Sequence, residues 1–135
     1  MTIIRQEDFI ASVAGALQYI SYYHPVDYIT SLAKAYEREE SPAAKDAIAQ
    51  ILINSRMCAE GHRPICQDTG IVTAFLKVGM DARFEAAPGE ERKDIQTMVD
   101  EGVRRAYLDP DNKLRASILA DPAGKRTNTK DNTPA

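Results

Sequence analysis

At 135 residues, with 44% hydrophobic and 27% charged side chains, the chain has material for one globular domain with its own core, or for one piece of a larger domain. Its 17 basic and 20 acidic residues, net charge −3, argue against a general nucleic-acid grip, which needs a clustered basic surface. No apolar run approaches the roughly 18 residues of a membrane helix, and MTIIRQEDF carries charges too early for a secretory signal.

A cytoplasmic chain without membrane contact is therefore expected. Two cysteines, Cys58 and Cys66, are too few for a disulfide scaffold, and two histidines leave little for a self-sufficient metal site. From residue 6 to about 22, Phe9, Ile10, Val13, Leu17 and Ile20 recur at helical spacing, with Glu7 and Asp8 at the positive end of the helix dipole. Pro25 suits the first position of a second helix, whose apolar face carries Tyr28, Ile29, Leu32, Ala33 and Tyr36. Ser41-Pro42 repeats the start signal, Ala44, Ala47, Ile48, Ile51, Leu52 and Ser55 face inward, and Gly61 is the expected stop.

The texture changes at Gly61. The run IVTAFLKV, residues 71–78, is short, apolar and flanked by glycines, which predicts a strand. A weaker strand signal covers residues 81–85, and Pro88-Gly89 marks a turn. Residues 94 to about 108 read as a fourth helix, and residues 114–119 as a further short strand. The last stretch, DPAGKRTNTKDNTPA, has no large apolar residue and should be mobile unless something holds it. The fold class expected is α+β: a helix-rich N-terminal part, a small β-sheet and a flexible C-terminal tail.

The segment RPICQDTG carries the densest chemistry. Pro64 biases Arg63 towards an extended backbone, and Gly70 permits close approach to a ligand. Between them stand a thiol, an amide and a carboxylate, Cys66, Gln67 and Asp68. A thiolate can ligate a metal, an amide can bond a substrate carboxylate, and an aspartate can move a proton. The plainer alternative is a turn with an Asx-type bond from Asp68 and an inert cysteine. Cys58, His62 and Cys66 also raise a zinc reading, but Gly61 and Pro64 break the helix that would align them, and three ligands fall short of four. A cysteine-protease reading is weaker still: His62 lies near the thiol, but nothing in the sequence suggests an oxyanion hole. Downstream, Lys113, Arg115, Lys125, Arg126 and Lys130 outnumber nearby acids. That suits an anionic small molecule, and a solvated tail equally.

Three stretches carry a family resemblance: RPICQDTGIVTAFLKVG, MVDEGVRRAYLDPDNKLRASILADP and NTKDNTPA. Together they closely resemble the N-terminal region of class I iron–sulfur fumarate hydratases, whose near relative is iron–sulfur L-tartrate dehydratase. The resemblance implies hydration of fumarate to L-malate on a 4Fe-4S cluster held by three cysteines. It also implies that Cys66 is the first cluster ligand, Gln67 a substrate-carboxylate ligand, Asp68 an active-site carboxylate and Arg115 a carboxylate clamp. Cys58 matches no ligand position. The other two cysteines are expected beyond Ala135, in the remainder of the enzyme or a second chain, with a homodimer when complete. Residues 1–121 would then be the N-terminal α+β region, and residues 122–135 a mobile tail forming part of a site completed elsewhere. As a fragment the chain is expected to be inactive alone. L-tartrate dehydration is the nearest alternative, and a helical interaction module in residues 6–60 is the alternative from another class.

Overall fold

The computed structural model describes residues 1–67, 70–111 and 114–135. Six elements follow in chain order: β1 (Thr2–Arg5), α1 (Gln6–Tyr22), α2 (Val26–Arg38), α3 (Pro42–Gly61), β2 (Ala82–Glu85) and α4 (Ile95–Leu108). The chain is thus α+β and helix-rich, with one small sheet. It divides into two compact units, Met1–Gln18 with Asp68–Ala135, and Tyr19–Gln67.

In the first unit β1 and β2 pair in parallel, with Ile3 opposite Arg83 and Ile4 opposite Phe84. Phe84 meets Phe9 of α1 edge-to-face at 5.2 Å. The core lies where the start of α1 packs on α4. Ile10, Met98, Val103 and Ala106 are wholly buried and Val99 nearly so. Burying each large apolar side chain contributes about 1.5–3 kcal/mol. Gly102 lets the helices approach: a Cβ there would lie 2.7 Å from Val13 Cβ and 2.9 Å from the Ile10 carbonyl. Asp94 caps α4 by accepting from Thr97 N at 2.7 Å.

Gln6 closes one end of this core. It is 2% exposed; its amide donates to Glu90 Oε2 and the Glu91 carbonyl, and its Oε1 accepts from Lys93 N. One charged network also joins the helices. Arg105 of α4 pairs with Glu7 of α1 and with Glu101, which takes a further bond from Lys93. Hydrogen bonding from Arg105 holds the Glu7 carboxyl below its usual range, and bonds from Lys93 and Arg105 do the same for Glu101.

In the second unit α2 packs on α3. Lys45 Nζ sits 4.8 Å from the centre of the Tyr36 ring. Burial here is thin: α2 buries no residue fully, and α3 buries only Ser55 and Cys58. His24 Nδ1 lies 3.0 Å from Ser55 Oγ, and its ring stacks on Tyr28.

Several expectations need correction. Residues 71–78 form no strand. Phe75 is 93% exposed, and Ile71, Leu76 and Val78 are also exposed. β-Propensity reports fit to a pleated, half-buried surface, and among the described residues no neighbouring strand pairs with this run. The expected strand at 114–119 reduces to a single antiparallel bridge, Leu119 to Asn128. β1, which no signal at the N-terminus announced, is the partner that β2 needs. Helix α3 runs through Gly61, and the left-handed residue ending it is His62, φ 45°. Ser41 stands at the N-cap position of α3 without a side-chain capping bond. Ile20, read as apolar-face, is exposed.

Candidate functional site

The segment leading to Cys66 and Gln67 is pinned residue by residue to the helices of the second unit. The left-handed turn at His62 sends its backbone N–H, and that of Arg63, back to the Cys58 carbonyl. The buried Cys58 thiol donates to the Pro64 carbonyl at 3.4 Å. Asn54 Nδ2 donates to the Ile65 carbonyl at 3.0 Å, and Ile65 N donates to the Ser21 carbonyl at 2.9 Å. Tyr22 stacks on the His62 ring, while the Tyr23 hydroxyl lies 3.0 Å from His62 Nε2. Every residue from 62 to 65 is therefore tied down, and the next two, Cys66 and Gln67, are exposed.

These contacts separate the two cysteines. Cys58 is buried and occupied with the Pro64 carbonyl, a structural use of a thiol. Cys66 is exposed and in no disulfide. His62 Nε2 is engaged by Tyr23, and among the described residues no three His, Cys, Asp or Glu side chains gather as a metal site. Asp68 lies outside the described residues.

Arg115 belongs to the first unit and is itself exposed, beside the buried Leu114. What holds the stretch after it is the tail. Asn132 is 0% exposed. Its Oδ1 accepts from Ser117 N at 2.9 Å and Ile118 N at 3.2 Å, and its Nδ2 donates to the Gly70 carbonyl at 3.2 Å. Asn128 Nδ2 adds a bond to the Ala116 carbonyl. The tail makes further bonds within its unit. Arg104 pairs with Asp131 at 3.3 Å, and Ala135 N donates to Asp100. Burial pushes the Asp131 carboxyl up, but bonds from Thr133 and Arg104 outweigh it and leave the group below its usual range.

The structure thus brings Gly70, Ser117, Ile118 and Asn132 together in one unit, and sets Cys66 and Gln67 in the other. The basic residues of the tail draw the eye in the sequence, and Asn132 does not stand out beside them. A sharper signal was available: asparagine tolerates a left-handed backbone and bonds neighbouring main chain, and Asn132 has φ 62°. Among the described residues no helix is long and apolar enough to cross a membrane.

Comparison with known proteins gives consistent matches. The model of the family "Fumarate hydratase (Fumerase)" matches residues 10–135. A Methanocaldococcus jannaschii protein named "Putative L(+)-tartrate dehydratase subunit alpha" is 33% identical over 84 residues, covering 62% of this chain and 28% of that protein. L(+)-tartrate dehydratase subunit alpha of Escherichia coli (strain K12) is 31% identical over 96 residues, covering 71% of this chain and 31% of that protein. The same protein name from Shigella boydii serotype 4 (strain Sb227) matches to the same extent. The chain therefore spans less than a third of the length of these relatives.

Proposed function

The chain belongs to the fumarate hydratase (Fumerase) family, and we propose that it is one wall of an iron–sulfur hydro-lyase acting on a small dicarboxylate. The observation that carries this reading is a family match running unbroken through both RPICQDTG and NKLR. The reaction is reversible addition of water across the double bond of fumarate, hydroxyl to one carbon and proton to the other, giving L-malate.

The chain's thiols differ in how they suit a 4Fe-4S cluster. Cys66 fits as one ligand, being an exposed thiol and a soft donor suited to iron–sulfur clusters. Cys58 does not, because its thiol is buried against Pro64. Two further thiolates must then come from the remainder of the enzyme or from a second chain. When bound, such a cluster supplies an open iron as Lewis acid for the hydroxyl group.

The chain's own residues handle the rest. The Gln67 amide donates to one substrate carboxylate, and the Arg115 guanidinium clamps a carboxylate through two parallel N–H bonds. Asp68 holds and moves the proton on its carboxyl oxygen. The helices behind residues 62–65 hold the approach to Cys66 and Gln67 still, which keeps the entropic cost of assembling the reacting groups low. Residues 122–135 form part of the cavity completed by the rest of the protein.

L-tartrate is the second substrate reading, favoured by the names of the relatives. It shares the carboxylates and the departing hydroxyl, so the same residues serve. Those names also support a second subunit as partner, and we place the complete enzyme in the cytoplasm as a homodimer or an assembly of two chain types. The test is anaerobic reconstitution of the complete protein with iron and sulfide, then turnover on fumarate, L-malate and L-tartrate. Water addition or loss on one of them, absent without iron, is expected. No turnover on any of the three removes the reading.

A further inference from the structure

The structure assigns Asn132 as a positioning residue that locks two substrate-facing segments onto one side chain; this rests on the hydro-lyase reading above. Gly70 follows Asp68 by two residues in sequence. Ser117 stands two residues after Arg115. The segments are far apart in sequence, yet both terminate on the same amide. Its oxygen takes the Ser117 and Ile118 N–H groups, and its nitrogen gives to the Gly70 carbonyl.

Three further facts make this a built device rather than a loop contact. Among the described residues, Asn132 is one of the largest wholly buried side chains, and the only polar one of them. Its own N–H is taken by Thr129 Oγ1, so the backbone is set as firmly as the side chain. Its neighbours are anchored too: Asp131 accepts from Thr133 and pairs with Arg104 of α4. A planar amide bonded to both segments cannot follow one without releasing the other. Reacting groups tolerate little displacement: a misplacement near 1 Å costs a rate factor of about a hundred. Asn132 therefore acts through Gly70 and Ser117, and touches no substrate itself.

The chemistry of the amide allows the two halves to be cut separately. Asn132→Asp keeps an oxygen for Ser117 and Ile118 but replaces the donor facing Gly70 with a second oxygen, which repels that carbonyl. Asn132→Ala removes both connections. The readout independent of activity is amide hydrogen exchange. Ser117 and Ile118 should lose protection in Asn132→Ala and keep it in Asn132→Asp, while the α4 amides stay protected in both. In the reconstituted complete enzyme, Asn132→Ala should lower kcat/KM about a hundredfold, in both kcat and KM. Asn132→Asp should lower kcat with KM within about twofold, because the Arg115 segment stays held. Undiminished protection of Ser117 and Ile118 in Asn132→Ala overturns the proposal. So does wild-type kinetics in both variants. An equal loss of protection across α4 would mean a merely structural role and also overturns it. A wild-type enzyme inactive on every dicarboxylate would sink the hydro-lyase reading instead, and exchange would still decide the lock.

Discussion

Gly102 offers a measurable test of the α1–α4 contact, with a second glycine as its control. A methyl group at Gly102 would place its carbon 2.7 Å from Val13 Cβ and Cγ1 and 2.9 Å from the Ile10 carbonyl oxygen. Carbon atoms settle at about 3.5–4.0 Å, so the overlap approaches 1 Å. Rotation can move Val13 Cγ1, but Val13 Cβ and the Ile10 carbonyl are fixed by the helix backbone and can yield only if α1 moves. Overpacking of this kind costs about 1–3 kcal/mol. Against it stands the gain of about 1 kcal/mol for alanine over glycine inside a helix. Gly15, in α1, has the same propensity gain and nothing within 4 Å of an added Cβ. Gly15→Ala should stabilise the chain by about 1 kcal/mol, and Gly102→Ala should fall about 1–3 kcal/mol below it. Thermal unfolding followed by circular dichroism reads this directly, at roughly 4 °C per kcal/mol for a chain of this size. If Gly102→Ala raises the melting temperature as much as Gly15→Ala does, the helices are not in the contact described.

Two further predictions concern the same unit. Gln6→Ala leaves Lys93 N without its acceptor and should destabilise by about 1–3 kcal/mol; a urea midpoint equal to that of the wild type would show that Gln6 does not anchor residues 90–93. Glu7 and Glu101 have folded carboxyls below the usual range. The folded state therefore holds fewer protons than the unfolded one near pH 4, so their contribution is complete above the unfolded value of about 4.3 and is lost as pH falls through the lower folded value. The stability gap between pH 7 and pH 3 should shrink in Arg105→Met. The same gap with and without Arg105 would remove that network from the account.

Helices were largely legible because their signals are local. The period of Phe9, Ile10, Val13 and Leu17 gave α1 its limits, and Pro25, Pro42 and Asp94 marked the starts of the other three helices. Strands were less legible, because a strand depends on a neighbour. Residues 71–78 have the composition of a strand but no partner among the described residues, whereas TIIR pairs with a segment some eighty residues away. In the candidate site, Cys66, Gln67, Asp68 and Arg115 were readable as chemistry. The bonds that hold their segments were not. Asn54, Cys58 and Asn132 act through main-chain carbonyls and N–H groups that leave no pattern in side-chain order.

Of the two cysteines, we propose Cys66 as a cluster ligand and Cys58 as a structural thiol. Iron content and turnover should be compared in the anaerobically reconstituted complete enzyme carrying Cys66→Ser or Cys58→Ser. Cys66→Ser should lose cluster absorbance and activity together, while Cys58→Ser should retain both despite a weaker fold. A Cys66→Ser enzyme that keeps its iron and its turnover would contradict the account.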